Sequence, residues 1–141
     1  MSSRSKKIAG LDARIETLLA VSAPQLLLLF GVGPDTAAAL LVAAGDNPER
    51  LRSEAAWAHL CGVAPIPASS GKSAGRHRLD RGGDRQANAA LWRIVMVRIA
   101  HDPATTAYFQ RKVKEGRSKR DVIRLLKRYV AREVYHYLPR V

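Results

Sequence analysis

Ser69 and Ser70 stand side by side in Pro67-Ala68-Ser69-Ser70-Gly71-Lys72, and Arg76, His77, Arg78, Arg81 and Arg85 follow closely. A serine hydroxyl is a weak nucleophile until a base or a strong electrostatic field activates it. Guanidinium groups supply such a field, because they neutralise the charge that builds on a phosphoryl group in its transition state. The chemistry suggested is attack on a phosphodiester. Read from the residues alone, the run better suits a Ser/Gly linker whose cations, Lys72 and His77 included, only hold phosphate.

Two further stretches carry residues suited to phosphate. In Leu27-Leu28-Leu29-Phe30-Gly31-Val32-Gly33-Pro34-Asp35-Thr36-Ala37 an apolar run meets a Gly-hydrophobic-Gly turn and then a small-residue helix, the form of a helix-hairpin-helix. Gly31 and Gly33 would let backbone amides at a helix N-terminus approach a DNA phosphate. The bland alternative is an ordinary turn between packed helices. Near the C-terminus, ten basic side chains face two acidic ones between Arg111 and Arg132. Lys119, Arg120, Arg124, Lys127, Arg128 and Arg132 are expected on the helical face opposite the apolar stripe, a surface that would track phosphates with strongly salt-dependent affinity.

The whole chain favours the same kind of partner. Its 141 residues carry a formal charge of +12. Residues 1–71 are balanced, with six basic and six acidic side chains, whereas residues 72–141 hold 18 basic and six acidic ones. A one-sided basic field selects polyanions, nucleic acid above all. The apolar run Leu26–Phe30 is far too short to span a bilayer, and no secretory leader is read at the start. The single cysteine, Cys61, excludes an intrachain disulfide framework and suits a reducing cytosol, so a cytoplasmic, nucleoid-associated protein is expected. His59, His101 and His136 lack metal spacing, and no structural zinc is expected.

These residues need elements to position them. Apolar spacing predicts a helix over 6–21 behind a polar tail, and a short apolar helix from Pro24 through Leu29. A helix from Asp35 to Ala44 should end with Gly45 as its C′ residue. Ser53 to Leu60 forms another helix. Residues 62–83 form the one long irregular stretch, with room for a short hairpin. Asp84 caps a helix to about His101 with Ala87, Leu91, Ile94, Val95 and Ile99 inside. Pro103 opens a helix ending near Gly116. Ser118 caps the last, with Asp121 at the capping-box position and Val122, Leu125, Leu126, Tyr129, Val130 and Val134 as its core stripe. Trp57 and Trp92 are expected in the core. The fold class is mostly α: a helical domain with a helix-hairpin-helix-like element and one long basic Ser/Gly loop. Residues 1–23 form a tail and lead-in helix, and residues 24–141 the main domain.

From Gly31 to about Leu138 the chain resembles the C-terminal domain of the insertion-sequence one-ten / one-sixteen / nine-oh-two family of transposases. The resemblance rests on Gly31-Val32-Gly33-Pro34 with Ala37-Ala38-Ala39-Leu40-Leu41, on Leu60-Cys61-Gly62-Val63-Ala64-Pro65, and on Ser69-Ser70-Gly71-Lys72. It continues through Arg81-Gly82-Gly83-Asp84-Arg85-Gln86-Ala87-Asn88-Ala89-Ala90-Leu91, Ser118-Lys119-Arg120 and Leu126-Lys127-Arg128-Tyr129-Val130-Ala131-Arg132-Glu133. It implies a DNA strand-transfer enzyme in which a serine before the glycine, here Ser70 with Ser69 as its neighbour, links transiently to DNA. It further implies a structured guide RNA, a homo-oligomer, and a RuvC-like domain whose carboxylates hold Mg²⁺. No strand-borne acidic cluster of that kind is read in this chain, so no cofactor is expected on it. A truncated reading frame, a transposon remnant or a piece acting with a partner chain is expected, without autonomous cleavage. The alternative from another class is a non-enzymatic nucleic-acid-binding module.

Overall fold

Ser53, Asp84 and Ser118 each start a helix by the same local chemistry. Ser53 Oγ accepts from the Ala56 amide at 3.1 Å, Asp84 Oδ1 from Ala87 at 2.8 Å, and Ser118 Oγ from Asp121 at 3.1 Å. Each bond satisfies one of the amides that a helix N-terminus leaves without an internal partner. The computed structural model describes residues 24–64 and 83–139. Within them run five helices: α1 (Pro34–Asp46), α2 (Glu54–Leu60), α3 (Arg85–His101), α4 (Pro103–Lys114) and α5 (Lys119–Tyr135). Two 3₁₀ turns, Leu26–Leu28 and Pro48–Leu51, precede α1 and α2, and the described residues hold no strand. The protein is mostly α, as its patterning indicates.

Helix α3 is the centre of the packing. It meets α1 on one side and α5 and α4 on the other, while α2 lies against α5. Ala87, Ala90, Leu91, Ile94 and Val95 of α3 are buried, with Ile99 partly so. They close on Ala37, Leu40, Ala43 and Ala44 of α1, and on Val122, Leu126, Val130, Ala131 and Val134 of α5. Trp57 is fully buried, and its indole N–H donates to the Ala131 carbonyl at 3.1 Å. That bond ties α2 to α5 and satisfies the buried indole donor.

Several expectations need correction. The apolar helix from Pro24 to Leu29 is a single 3₁₀ turn at Leu26–Leu28, so the first arm of the hairpin is only one turn among the described residues. Helix α1 does not stop before Gly45. It runs through to Asp46, and Asn47 ends it, with its backbone N–H on the Ala44 carbonyl and its side chain on Ala43. Trp92 is 48% exposed rather than core, because it lies beside and not within the stripe of Leu91, Ile94 and Val95. Tyr129 is 53% exposed and Leu125 only half-buried, for the same reason on α5. The lead-in helix over 6–21 lies outside the described residues.

Candidate nucleic-acid interface

The described residues on either side of the Ser-Gly segment, up to Ala64 and from Gly83 onward, are firmly held. Gly62, at φ +73°, lets α2 end in a reversal that sends the Val63 amide back to the Ala58 carbonyl at 2.9 Å. The Asp84 amide then donates to the Leu60 carbonyl at 2.7 Å. Asn88 Nδ2, one turn into α3, donates to the Cys61 carbonyl at 2.8 Å. Lys127 Nζ of α5 donates in turn to Asn88 Oδ1 at 3.3 Å. The basic helix is thereby tied to the root of the segment. Ser69, Ser70, Lys72, Arg76, His77, Arg78 and Arg81 themselves lie outside the described residues. Arg85 is exposed at the first position of α3.

Beside this root, a cleft of about 230 Å³ is lined by Val63, Ala64, Arg117, Asp121, Arg124, Leu125 and Arg128. The expected solvated face of α5 is therefore not uniform. Lys119, Arg120 and Arg132 are exposed, but Arg124, Lys127 and Arg128 are half-buried. Their stems pack against the protein while their charged ends reach the cleft or the root, as long cationic side chains commonly do. One Arg124 terminal nitrogen, Nη2, is buried and has no hydrogen-bond partner among the described residues. An unpaired buried donor on a charged group is unfavourable, and an anion in the cleft would offset the charge of that guanidinium. Lys127 is held below the ordinary lysine range by burial first, then by the positive charges of Arg124 and Arg120. Lys119 and Arg120 occupy the first turn of α5, where the helix dipole disfavours cations. Asp121 offsets part of that cost.

On the other side of Ala64 and Arg128 lies a second groove of about 410 Å³, bordered by Glu54, Ala55, Ala58, His59 and Arg132. Here charge is matched. Arg132 Nε meets Glu54 Oε1 at 3.0 Å and His136 Nε2 meets Glu54 Oε2 at 3.1 Å. The Arg132 bond, more than any other contact, draws the Glu54 carboxyl below its usual range.

The Gly31 turn has different surroundings. Gly31 adopts φ +83°, and a Cβ there would stand 3.1 Å from the Ile94 carbonyl oxygen. Arg98 closes the turn. Its Nε donates to the Phe30 carbonyl at 2.7 Å, and its Nη2 meets Glu133 Oε1 at 2.7 Å. The Gly33 amide donates to Thr36 Oγ1 at 3.0 Å. These polar groups serve the docking of α1 and its turn onto α3 and α5. Residue spacing gave no hint of Arg98, whose partners lie 68 and 35 residues away, nor of Asn88 and Arg117.

No three of His, Cys, Asp and Glu gather as metal ligands among the described residues, and none of their helices is long and apolar enough to cross a membrane. Cys61 is buried; desolvation, reinforced by the Asp84 charge, pushes its thiol far above the ordinary range.

Residues 23–110 match the family described as Transposase IS116/IS110/IS902 family. The "Insertion element IS110 uncharacterized 43.6 kDa protein" of Streptomyces coelicolor (strain ATCC BAA-471 / A3(2) / M145) is 35% identical over 111 residues, 77% of this chain and 27% of that protein. The "Insertion element IS900 uncharacterized 42 kDa protein" of Mycobacterium paratuberculosis is 30% identical over 103 residues, 73% of this chain and 26% of that protein. The chain thus spans about a quarter of the length of these relatives. No solved structure matches it.

Proposed function

The chain belongs to the IS116/IS110/IS902 transposase family, and on that premise we propose that it is the DNA-handling, C-terminal part of a serine-type transposase with Ser70 as its nucleophile. The Ser70 oxygen attacks a DNA phosphorus. A phosphoserine ester forms as the bond to one strand's oxygen breaks, and that oxygen takes up a proton while serine loses its own. The ester keeps the reactivity of the original linkage, so attack by another strand's hydroxyl completes transfer without an external energy source. Arg76, Arg78, Arg81 and Arg85, with Lys72 and His77, hold the reacting phosphate. Lys119, Arg120, Arg124, Lys127 and Arg128 hold the flanking backbone.

The observation that supports this reading best is the cleft at the root of the Ser-Gly segment. Three arginines line it, and one of them, Arg124, has a buried nitrogen without an acceptor among the described residues. Phosphate is the anion that suits such a site, because guanidinium groups bind it through paired hydrogen bonds. The full active site would also need the RuvC-like domain of a longer or partner chain, with Mg²⁺ on that domain's carboxylates. A structured guide RNA and self-association complete the proposed assembly, at work on bacterial nucleoid DNA.

The test supplies a complementing RuvC-like domain, element-end DNA and the element's RNA, and looks for a protein–DNA adduct that survives denaturation. An adduct present with the natural chain and with Ser69→Ala, but absent with Ser70→Ala, supports the reading. Tight, salt-sensitive binding without any adduct would leave a non-enzymatic nucleic-acid-binding module.

A further inference from the structure

Helices α3, α4 and α5 leave a hollow between them on a different side of α5 from the arginine cleft. It measures about 220 Å³ and is lined by Val95, Arg98, Ala104, Thr105, Tyr108, Leu126, Tyr129 and Val130. Helix α4, which forms one wall, buries no residue fully. Tyr129 is more than half exposed, although it stands in the middle of a well-packed helix. Its ring meets that of Tyr108 edge to face, with centroids 6.1 Å apart and planes at 87°. Tyr108 is in turn braced by cations: Arg111 lies 5.6 Å and Lys112 5.7 Å from its ring centre. One tyrosine is thus fixed, and it fixes the second, whose remaining surface is open.

We propose that this hollow docks one unpaired nucleobase, stacked on Tyr129 with Tyr108 behind it, from a strand whose phosphates run along the arginines of α5. The proposal rests on the nucleic-acid reading above and adds a second kind of contact to it. The walls are apolar and aromatic, as a π-face requires, and the surroundings are cationic, as a phosphate backbone requires. The room suits one base; a base pair held in a duplex stack does not fit between three helices. Leu125 lines the arginine cleft and Tyr129 lines the hollow. The two residues are one helical turn apart, about 5–6 Å, so a single strand can have a phosphate in one and a base in the other.

The polar groups at the hollow also decide what it does not do. Arg98 gives its guanidinium to Phe30 and Glu133. Thr105 Oγ1 donates to Asp102 Oδ2 at 2.6 Å. Few donors or acceptors remain to read a base edge, so stacking tolerates any base.

The experiment uses the full chain and a short single-stranded oligonucleotide carrying the fluorescent base 2-aminopurine, with the same sequence as a duplex for comparison. The probe's emission should fall on binding. Tyr129→Ala should weaken single-strand affinity by about tenfold, abolish the emission change, and leave duplex affinity within about twofold. Tyr129→Phe should keep both the affinity and the emission change. Equal weakening of single strand and duplex by Tyr129→Ala, or a natural chain that binds the strand with unchanged emission, overturns the stacking site alone. A natural chain that binds neither probe overturns the nucleic-acid reading and this inference with it. Tyr129 is exposed, so its replacement does not open the core; unchanged thermal unfolding of each variant checks this.

Discussion

Arg98 and Arg124 are both helix-borne arginines that sink their stems into the protein, yet their environments are opposite. Arg98 has a carbonyl and a carboxylate within 2.7 Å and closes the Gly31 turn. Arg124 shares its cleft with Arg117 and Arg128 and, among the described residues, has one lining carboxylate, Asp121, and one buried nitrogen without a partner. The first cation is consumed by the fold. The second is left in a state that an incoming anion improves. Two arginines of the same kind therefore separate once the partners of each charged group are counted.

Four substitutions or conditions test this contrast. The largest effect belongs to Gly31→Ala. Left-handed backbone and a methyl group 3.1 Å from the Ile94 oxygen should cost about 2–3 kcal/mol in urea unfolding. Next is Arg98→Ala, which strands the Phe30 carbonyl and unpairs Glu133; with Glu133 partly exposed, a loss of about 2 kcal/mol is expected. In both variants the remaining folded protein should bind polyanions with its original salt dependence.

Arg124→Gln should do the reverse. Unfolding free energy should stay within about 0.5 kcal/mol or rise, since a half-buried cation crowded by Arg117 and Arg128 is removed. The slope of log affinity against log salt, measured with duplex DNA, should fall by about one unit. An Arg124→Gln protein that unfolds as readily as Arg98→Ala would erase the contrast.

The smallest effect concerns pH. Burial and its arginine neighbours depress Lys127, so the folded chain loses this proton below the ordinary value of 10.5. The charged form is therefore the less favoured one in the fold. Its penalty is fully present at neutral pH, begins to fall as pH reaches the lowered folded value, and is gone above 10.5. Over that same interval one cation is withdrawn from the basic face, and affinity for DNA should decline slightly. Arg124→Gln removes one cause of the shift, and NMR of the Lys127 side chain should show its titration moving back toward 10.5.

Local chemistry was the most legible part of the sequence. Ser53, Asp84 and Ser118 announce their helices because a cap involves a few consecutive residues. Gly45 misled because the end of α1 is set by an Asn47 side chain reaching back to Ala43, which Gly at that spacing does not reveal. At Trp92 and Tyr129 residue type points to the core while position on the helix does not. Each flanks the buried stripe of its helix rather than lying in it. At the interface, the basic character of α5 was legible, but not its division. Arg124, Lys127 and Arg128 are half-buried because α2 and the root of the Ser-Gly segment close against α5, and that contact joins stretches distant along the chain. Arg98, Glu133 and Phe30 carry no local signal for the same reason.

Cys61 adds a practical consequence. It is the sole sulfhydryl of the chain, and its carbonyl is bonded to Asn88 where the Ser-Gly segment begins. Screened from water and hard to ionise, it can meet an alkylating reagent only when that junction comes apart. The molecule thus carries its own clock for opening events, readable as the mass the reagent adds at one position. DNA that braces the junction would make it tick more slowly.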